Sequence, residues 1–446
     1  MYSFWLQKIE NTANYTRLNS KIVHKSIKKL YSYFKDYQVV VLGTDAGLGH
    51  LRMSSEVTKF WQSLGIKVYS VTFNYSDLNS LDKSTKLGSF GSLIYEFVQK
   101  SFFGYYVQLI FDLLPVKVVN LLQSTWVNSD ALLAKLLNSG IDIKNKTLYI
   151  STHPLPTINL LNIFNNKNYK YNKKSYITEY VTDPGWVKNS ISVMTSPTGI
   201  GKNKHITCVH NIQTQKRLIN HFSSDNKTVI PWGTPSPHQY LFNNDPTPIW
   251  NSNEQLVILI EWSGTHFKKF DIKIEKFVKA NIDQIKTKKL KIIMHTATHK
   301  NSYYNMKKFL KKHKLLNKNL VQILYNKNRE DASYERDLII LGKSKYKVPH
   351  CSIVKAGEQS IQDNGNHVRF CVYTSLPHEK RNALSGECEH RAKLLTNVSP
   401  QNWLNEIKNN LNAIQSKTSP TSLALLAPIK LINHGLSVKL TQFAVK

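Results

Sequence analysis

The chain has 446 residues, of which 60 are Lys or Arg and 29 are Asp or Glu, so its formal net charge is +31. This length exceeds what one compact core accommodates and indicates two or three domains, while a hydrophobic content of 41% excludes a disordered chain. Four cysteines without CxxC spacing argue against a disulfide scaffold or a cysteine zinc site.

Hydropathy predicts a soluble, cytoplasmic protein without a membrane-spanning helix. Its nearest candidate, FFGYYVQLIFDLLP from Phe102 to Pro115, is too short to cross a bilayer and contains Asp112. The first residues carry Glu10 and no cleavage motif, so no signal peptide is expected. The strong positive charge suits nucleic acid or an anionic membrane surface as a partner, unless the lysines are merely solvated.

The first clear element is a βαβ unit. QVVVLG (Gln38 to Gly43) has the pattern of a buried strand, and the loop TDAGLGH (Thr44 to His50) follows it. Apolar residues then recur at helical spacing up to Gly65, which has the position of a C′ glycine. IKVYSVTF (Ile66 to Phe73) is predicted to be the second strand of the unit.

Later strands divide into two series around a linker. TLYIS (Thr147 to Ser151) and ITEYVTD (Ile177 to Asp183) precede the segment 235–253, which contains four prolines and no regular period. The strands expected after the linker are QLVILIE, LKIIMH, LVQILY, CSIV and RFCVYT, starting at residues 255, 290, 320, 351 and 369. Alternation of strands and helices predicts an α/β fold with two Rossmann-like, doubly wound domains.

We therefore predict four segments. Residues 1–36 form a basic amphipathic extension, residues 37–240 and 250–425 form the two domains, and residues 426–446 form a tail. In doubly wound sheets, ligands bind beyond the carboxyl ends of the strands, so the segments that follow the strands are the candidate site.

Those segments carry a series of recognisable motifs. In chain order they are TDAGLGH, STHP, TDP, IPWGTP, SIVKAGEQSIQD and LPHEKRNA, between residues 44 and 383. Their order and spacing resemble the GT-B glycosyltransferases, and most closely the family 28 group of monogalactosyldiacylglycerol synthases, processive diacylglycerol glucosyltransferases and the lipid II N-acetylglucosaminyltransferase. The resemblance covers about residues 38–400, and it implies two domains that face a central cleft.

The resemblance also implies roles for individual residues. His50 or Asp45 is the base that deprotonates the acceptor, with Gly47 and Gly49 beside the donor diphosphate. Ser263 and Gly264 lie in the first loop of the donor domain, in a degenerate version of a glycine-rich loop. The implied donor-site residues are Lys355, Ala356, Gly357 and Ser360 at the diphosphate, Asp363 at the uridine ribose, and Glu379 and Asn382 at the sugar.

The reaction that the resemblance implies is inverting transfer of a hexose from a UDP-sugar to a lipid such as diacylglycerol, without a metal or a resident cofactor. A helix N-terminus together with Lys355 suits a leaving diphosphate. Glu358 and the EWSGTH loop depart from the family pattern, so a non-catalytic scaffold remains an alternative, as does a UDP-sugar 2-epimerase. Nucleic-acid binding is a further alternative, although no RNA- or DNA-binding motif is present.

Two segments are candidates for peripheral membrane association. Ser92 to Val119 is rich in Phe, Tyr and Leu, and Lys21 to Phe34 has an apolar face opposite lysines. For the aromatic segment, Ser92 to Val119, the alternative is a pair of helices buried within the first domain. MKKFLKKHK (Met306 to Lys314) is interpreted as a solvated helix face.

Overall fold

The computed structural model describes residues 17–44, 48–73, 129–181, 204–210, 214–216, 218–219, 229–235, 247–262, 268–355, 367–374, 377–388, 391–416 and 424–432. These residues form two compact units. The first contains the described residues up to 235 together with 424–432, and the second contains those from 247 to 416. The fold class predicted from the sequence, α/β with two Rossmann-like doubly wound domains, is confirmed by two parallel sheets.

The sheet of the first unit has the strand order β2-β1-β3-β4-β5-β6. Chain order reverses direction between β1 and β3, which makes this the switch point of the sheet. The elements are α1 (Arg17–Phe34), β1 (Gln38–Thr44), α2 (Leu48–Ser63), β2 (Val68–Phe73), α3 (Ser129–Asn138), β3 (Thr147–Ser151), α4 (Pro154–Asn165), β4 (Tyr176–Tyr180), β5 (His205–Cys208) and β6 (Val229–Ile230).

The strands of this sheet are buried on both faces, so both faces are lined by apolar side chains. Val39 and Val41 of β1 point into one hydrophobic cluster, and Val40 and Leu42 point into the other. Continuous apolar runs are expected for parallel strands that helices cover on both faces. The alternation of β1 between two cores explains why its sequence shows no polar residue between Val39 and Leu42.

Helix α1 belongs to the core of the first unit, which corrects the prediction of a separate extension over residues 1–36. Its residues Ile27, Leu30 and Phe34 are buried, with Phe34 edge-on to the Trp61 ring at a centroid distance of 5.7 Å. The apolar face that the sequence offered to a membrane is therefore already covered by the protein. No helix in the described part of the chain has the length and hydropathy needed to cross a bilayer.

The C-terminal residues also return to the first unit. Ala424 to Leu426 form a 3-10 turn and α11 (Ile429–Ile432) follows, both contributing buried side chains to the cluster that α1 joins. Tyr180 Oη donates a 2.8 Å hydrogen bond to the Ala424 carbonyl. The predicted boundary at residue 425 is therefore wrong, because the apolar residues after 423 complete the first core and not the second.

The second unit has the strand order β9-β8-β7-β10-β11-β12. Renumbered from β7, this is the order 3-2-1-4-5-6 of dinucleotide-binding folds, and its switch point lies between β7 and β10. The elements are β7 (Leu256–Glu261), α5 (Lys268–Ala280), α6 (Ile282–Lys286), β8 (Leu290–His295), α7 (Lys300–Lys312), β9 (Val321–Leu324), α8 (Arg329–Ile340), β10 (Cys351–Lys355), β11 (Val368–Tyr373), α9 (Pro377–Cys388), β12 (Ala392–Leu394) and α10 (Trp403–Gln415).

We expect Phe34→Ala to destabilise the protein by about 3–5 kcal/mol, because it removes a fully buried ring from a packed aromatic cluster. Urea unfolding measures this loss as a fall in the transition midpoint. Lys28→Ala on the exposed side of the same helix is the control and is expected to change stability by less than about 0.5 kcal/mol. Equal stability of the two variants would contradict the placement of α1 in the core.

Candidate functional site

The switch point of the second sheet carries buried charged side chains. Strand β10 ends at Lys355 and its neighbour β7 ends at Glu261, with Val354 directly opposite Glu261 in the parallel register. Both terminal side chains are buried. The carboxyl ends of the two central strands therefore place opposite charges at the edge where such sheets bind ligands.

Lys355 forms a buried ion pair with Glu379. The distance from Lys355 Nζ to Glu379 Oε1 is 2.6 Å, and the two side chains are 0% and 5% exposed. Taking two charges out of water is costly, and a short, hydrogen-bonded contact between them is what offsets that cost. The pair links the end of β10 to the first turn of α9, across 24 residues of sequence.

Helix α9 presents its functional residues on one side. Pro377 opens the helix, where its lack of an N–H costs nothing, and Glu379 stands in the first turn, where a carboxylate interacts favourably with the helix dipole. Asn382 is three residues further on, so it shares the face of Glu379 and is fully buried. The sequence PHEKRN thus places an acid and an amide on one face of α9, and the acid contacts Lys355.

The ion pair gives Lys355 a partner that the sequence did not predict. Its ammonium is fully buried and donates to Glu379, whereas the family resemblance implied contact with a diphosphate. The contact fixes the orientation of the Glu379 carboxylate at the end of β10. The remaining predicted donor residues Ser263, Gly264, Ala356, Gly357, Ser360 and Asp363 lie outside the described residues, as do the base candidate Asp45 and its neighbour Gly47.

At the switch point of the first sheet, helix α2 begins at Leu48, only four residues after β1 ends. Gly49 and His50 therefore belong to the first helical turn, and not to the loop that the sequence predicted. Gly43 permits this close approach, because a Cβ there would lie 2.3 Å from Ser54 Oγ. Ser54 Oγ in turn lies 2.7 Å from Thr152 Oγ1 at the end of β3, so α2 is held against both central strands.

A second buried polar group was missed by the sequence analysis. Arg336 of α8 reaches Glu261 Oε2 at 3.5 Å through Nη1 and Asp337 Oδ1 at 3.3 Å through Nη2. His295, at the end of β8, is paired with Glu261 in the strand register. The sequence did indicate this group: the apolar runs of β7 and β8 end at the polar residues Glu261 and His295, at the sheet edge where functional side chains are expected.

The imidazole of His295 is neutral at physiological pH. Burial, followed by the positive charge of Arg336, lowers the pKa of His295 to about 4, which outweighs the opposite influence of Glu261. The nearest acidic partner recorded for its Nε2 is Glu335, at 3.9 Å, which is too distant for a strong hydrogen bond. The end of β8 therefore holds an uncharged imidazole close to the charged side chains of Arg336, Glu261 and Asp337.

The described residues contain no group of three or more His, Cys, Asp or Glu side chains arranged to hold a metal ion.

No protein-family model matches the sequence, and no curated protein matches it either. Similar solved structures include the S. aureus MnaA–UDP co-structure, with 8% identity, a TM-score of 0.45, and coverage of 87% of this chain and 94% of that one. The Methanocaldococcus jannaschii UDP-GlcNAc 2-epimerase in complex with UDP-GlcNAc and UDP has 10% identity, a TM-score of 0.45, and coverage of 90% and 100%. A glycosyltransferase from Rickettsia africae ESF-5 has 11% identity, a TM-score of 0.41, and the same coverage.

We expect Lys355→Met to destabilise the second domain by about 3–5 kcal/mol, because it leaves the Glu379 charge buried without its cation. The double variant Lys355→Met/Glu379→Leu should recover most of this loss, since two apolar side chains replace the pair. Chemical denaturation of the single and double variants measures the coupling.

Lys393→Met serves as the matched control for that cycle. Lys393 lies 3.9 Å from Glu406 in a half-exposed pair, so its removal should cost less than about 1 kcal/mol. Additive losses in the Lys355 and Glu379 variants would contradict a buried ion pair.

Acid should destabilise the protein through His295. Its folded pKa lies near 4, below the value of about 6.5 in an unfolded chain, so the unfolded state binds more protons between these values. Stability therefore falls as the pH is lowered from about 6.5 to about 4, by up to about 3 kcal/mol from this residue alone. Urea unfolding across this range measures the loss, and His295→Gln should flatten it, whereas His24→Gln on α1 should not. Parallel pH profiles of wild type and His295→Gln would contradict the assignment.

Proposed function

We propose that the protein is an inverting glycosyltransferase that moves a hexose from a UDP-sugar to a membrane lipid such as diacylglycerol. The observation that carries the proposal is the convergence of Lys355, Glu379 and Asn382 at the switch point of the second sheet. The family resemblance implies a donor-site role for all three. Ion pairing across 24 residues brings two of them into direct contact.

In the proposed donor site, side chains of α9 bind the sugar, and backbone N–H groups after β10 bind the diphosphate. Glu379, oriented by Lys355, accepts hydrogen bonds from hydroxyls of the transferred sugar, and Asn382 adds a donor and an acceptor on the same helix face. Ala356, Gly357 and Ser360 follow β10 directly and supply N–H groups to the diphosphate, and Asp363 binds the ribose. Hydrogen bonds to charged groups are worth about 1.5–3 kcal/mol each, so a few of them suffice for micromolar binding.

The proposed reaction needs one base and one stabilised leaving group. The acceptor hydroxyl oxygen attacks the anomeric carbon while the bond from that carbon to the diphosphate oxygen breaks. His50 or Asp45 takes the hydroxyl proton, and UDP leaves with the bonding electron pair. Attack from the face opposite UDP inverts the anomeric centre. The start of α2 at the carboxyl end of β1 supports His50 in this role, because it places this residue at a strand edge used for ligands.

We expect UDP release from one UDP-sugar of a panel, only when anionic liposomes contain diacylglycerol. A coupled assay for UDP, with mass analysis of the lipid, measures the reaction. Release of UDP without an acceptor, or formation of an epimerised UDP-sugar, would replace the proposal with the 2-epimerase alternative. Binding of UDP without turnover on any acceptor would favour a non-catalytic scaffold.

Variants connect that assay to the proposed site. Glu379→Gln keeps the size of the side chain but removes its charge, so kcat/KM should fall by about 10–100-fold, equivalent to one charged hydrogen bond. His50→Ala should reduce kcat and leave donor affinity unchanged, and Asp363→Ala should weaken donor binding. Lys393→Met, at the half-exposed pair, is the control that should retain activity.

A further inference from the structure

Positive charge is concentrated in one part of the second unit. Residues 268–327 contain 17 lysines and three acidic residues, which is 14 of the 31 net charges of the chain in 60 residues. Helices α5, α6 and α7 lie in this segment. Lys273 of α5 is half-buried and donates a 3.2 Å hydrogen bond to the Val372 carbonyl of β11, whereas many of the other lysines of α5 and α7 are exposed.

Helix α5 exposes lysines around a single apolar residue. Ile272 is 46% exposed, and the exposed side chains of Lys268, Lys276 and Lys279 lie on the same side of the helix at spacings of three, four and seven residues. The opposite side is buried in the core through Phe270, Ile274 and Phe277. An exposed isoleucine has no role in that core.

Helix α7 repeats the arrangement with a tyrosine. Tyr304 is 55% exposed, and the exposed lysines on its side of the helix are Lys300, Lys308, Lys311 and Lys312. Met306 and Leu310 face the same core as α5. Each helix thus buries one apolar stripe and exposes a second, basic stripe that has a hydrophobic residue in its centre.

The two helices pack against each other, and Ser302 Oγ of α7 donates a 2.9 Å hydrogen bond to Asp271 Oδ2 of α5. Asp271 also accepts a 2.7 Å hydrogen bond from Trp262 Nε1, so one of the three acidic side chains is turned inward. The exposed lysines of α5 and α7, with Ile272 and Tyr304, are called the lysine surface below.

We infer that the lysine surface binds the headgroup region of an anionic lipid bilayer. Clusters of four to eight basic residues on an amphipathic helix bind anionic lipids, and each adds roughly a fivefold increase in partitioning. Ile272 and Tyr304 fit this partner, because aliphatic and aromatic side chains insert at the bilayer interface.

Lysine chemistry separates this partner from nucleic acid. No arginine occurs between residues 268 and 327, although arginine is the residue suited to bidentate contacts with phosphates and bases. An isoleucine offers no flat ring for stacking with a base. The inference deepens the proposed function and rests on it for the choice of a membrane, but its test needs neither a UDP-sugar nor diacylglycerol.

Vesicle sedimentation of the full chain tests the inference. The protein should bind phosphatidylcholine vesicles that contain phosphatidylserine, and not pure phosphatidylcholine, with affinity that falls at high salt. The quadruple variant Lys300→Gln/Lys308→Gln/Lys311→Gln/Lys312→Gln should bind at least about tenfold more weakly. A control that removes the same charge from exposed lysines of the first unit, Lys144, Lys146, Lys167 and Lys170, should bind like wild type.

A second pair of variants tests the apolar contribution. Ile272→Ser/Tyr304→Ser should weaken vesicle binding several-fold, whereas Leu137→Ser/Ile249→Ser, at exposed residues elsewhere, should not. Equal losses in the two quadruple variants would overturn the inference, because net charge alone would then explain binding. Tighter binding to random duplex DNA that only the α7 variant loses would overturn it in favour of a nucleic-acid surface. Loss of vesicle binding with retained UDP release on detergent-solubilised acceptor would separate this surface from the reaction.

Discussion

The ion pair between Lys355 and Glu379 is the contact on which the second domain's site depends. It joins the end of the central strand β10 to the first turn of α9 through two buried side chains, so neither charge is separable from the other without a large penalty. The position of α9 is thereby fixed relative to the sheet, and Asn382 with it. Separating these two buried charges would leave each without a partner, and this cost holds the two elements together.

The same constraint explains why the two domains use their switch points differently. In the first domain, small residues achieve close packing: Gly43 lets α2 approach β1, and Ser54 and Thr152 join hydroxyls across the contact. In the second, charged residues end the central strands: Lys355 of β10 pairs with Glu379, and Glu261 of β7 pairs with Arg336.

Sequence patterns predicted most of the strands because buried parallel strands are continuous apolar runs. Strands β5, β6 and β12 were not predicted, since two to four residues are too few to show a pattern. The motifs identified Lys355 and Glu379, but not their pairing, which depends on how β10 and α9 meet. Glu261, His295 and Arg336 were missed because a polar residue at the end of a strand acquires its partners only in the folded chain.

Net charge is the property that sequence alone interprets least well. Helices α1 and α7 both look amphipathic and basic, and the sequence favoured α1 for a membrane while treating α7 as a solvated face. The core covers the apolar face of α1, including Phe34, and the exposed lysines of α1 lie on the opposite, solvent-facing side of the helix. Helix α7 also buries an apolar face, yet Tyr304 stays exposed among its lysines, as Ile272 does on α5. The inferred lipid surface of α5 and α7 is therefore distinguished from the exposed side of α1 by these apolar residues, and not by the number of its lysines.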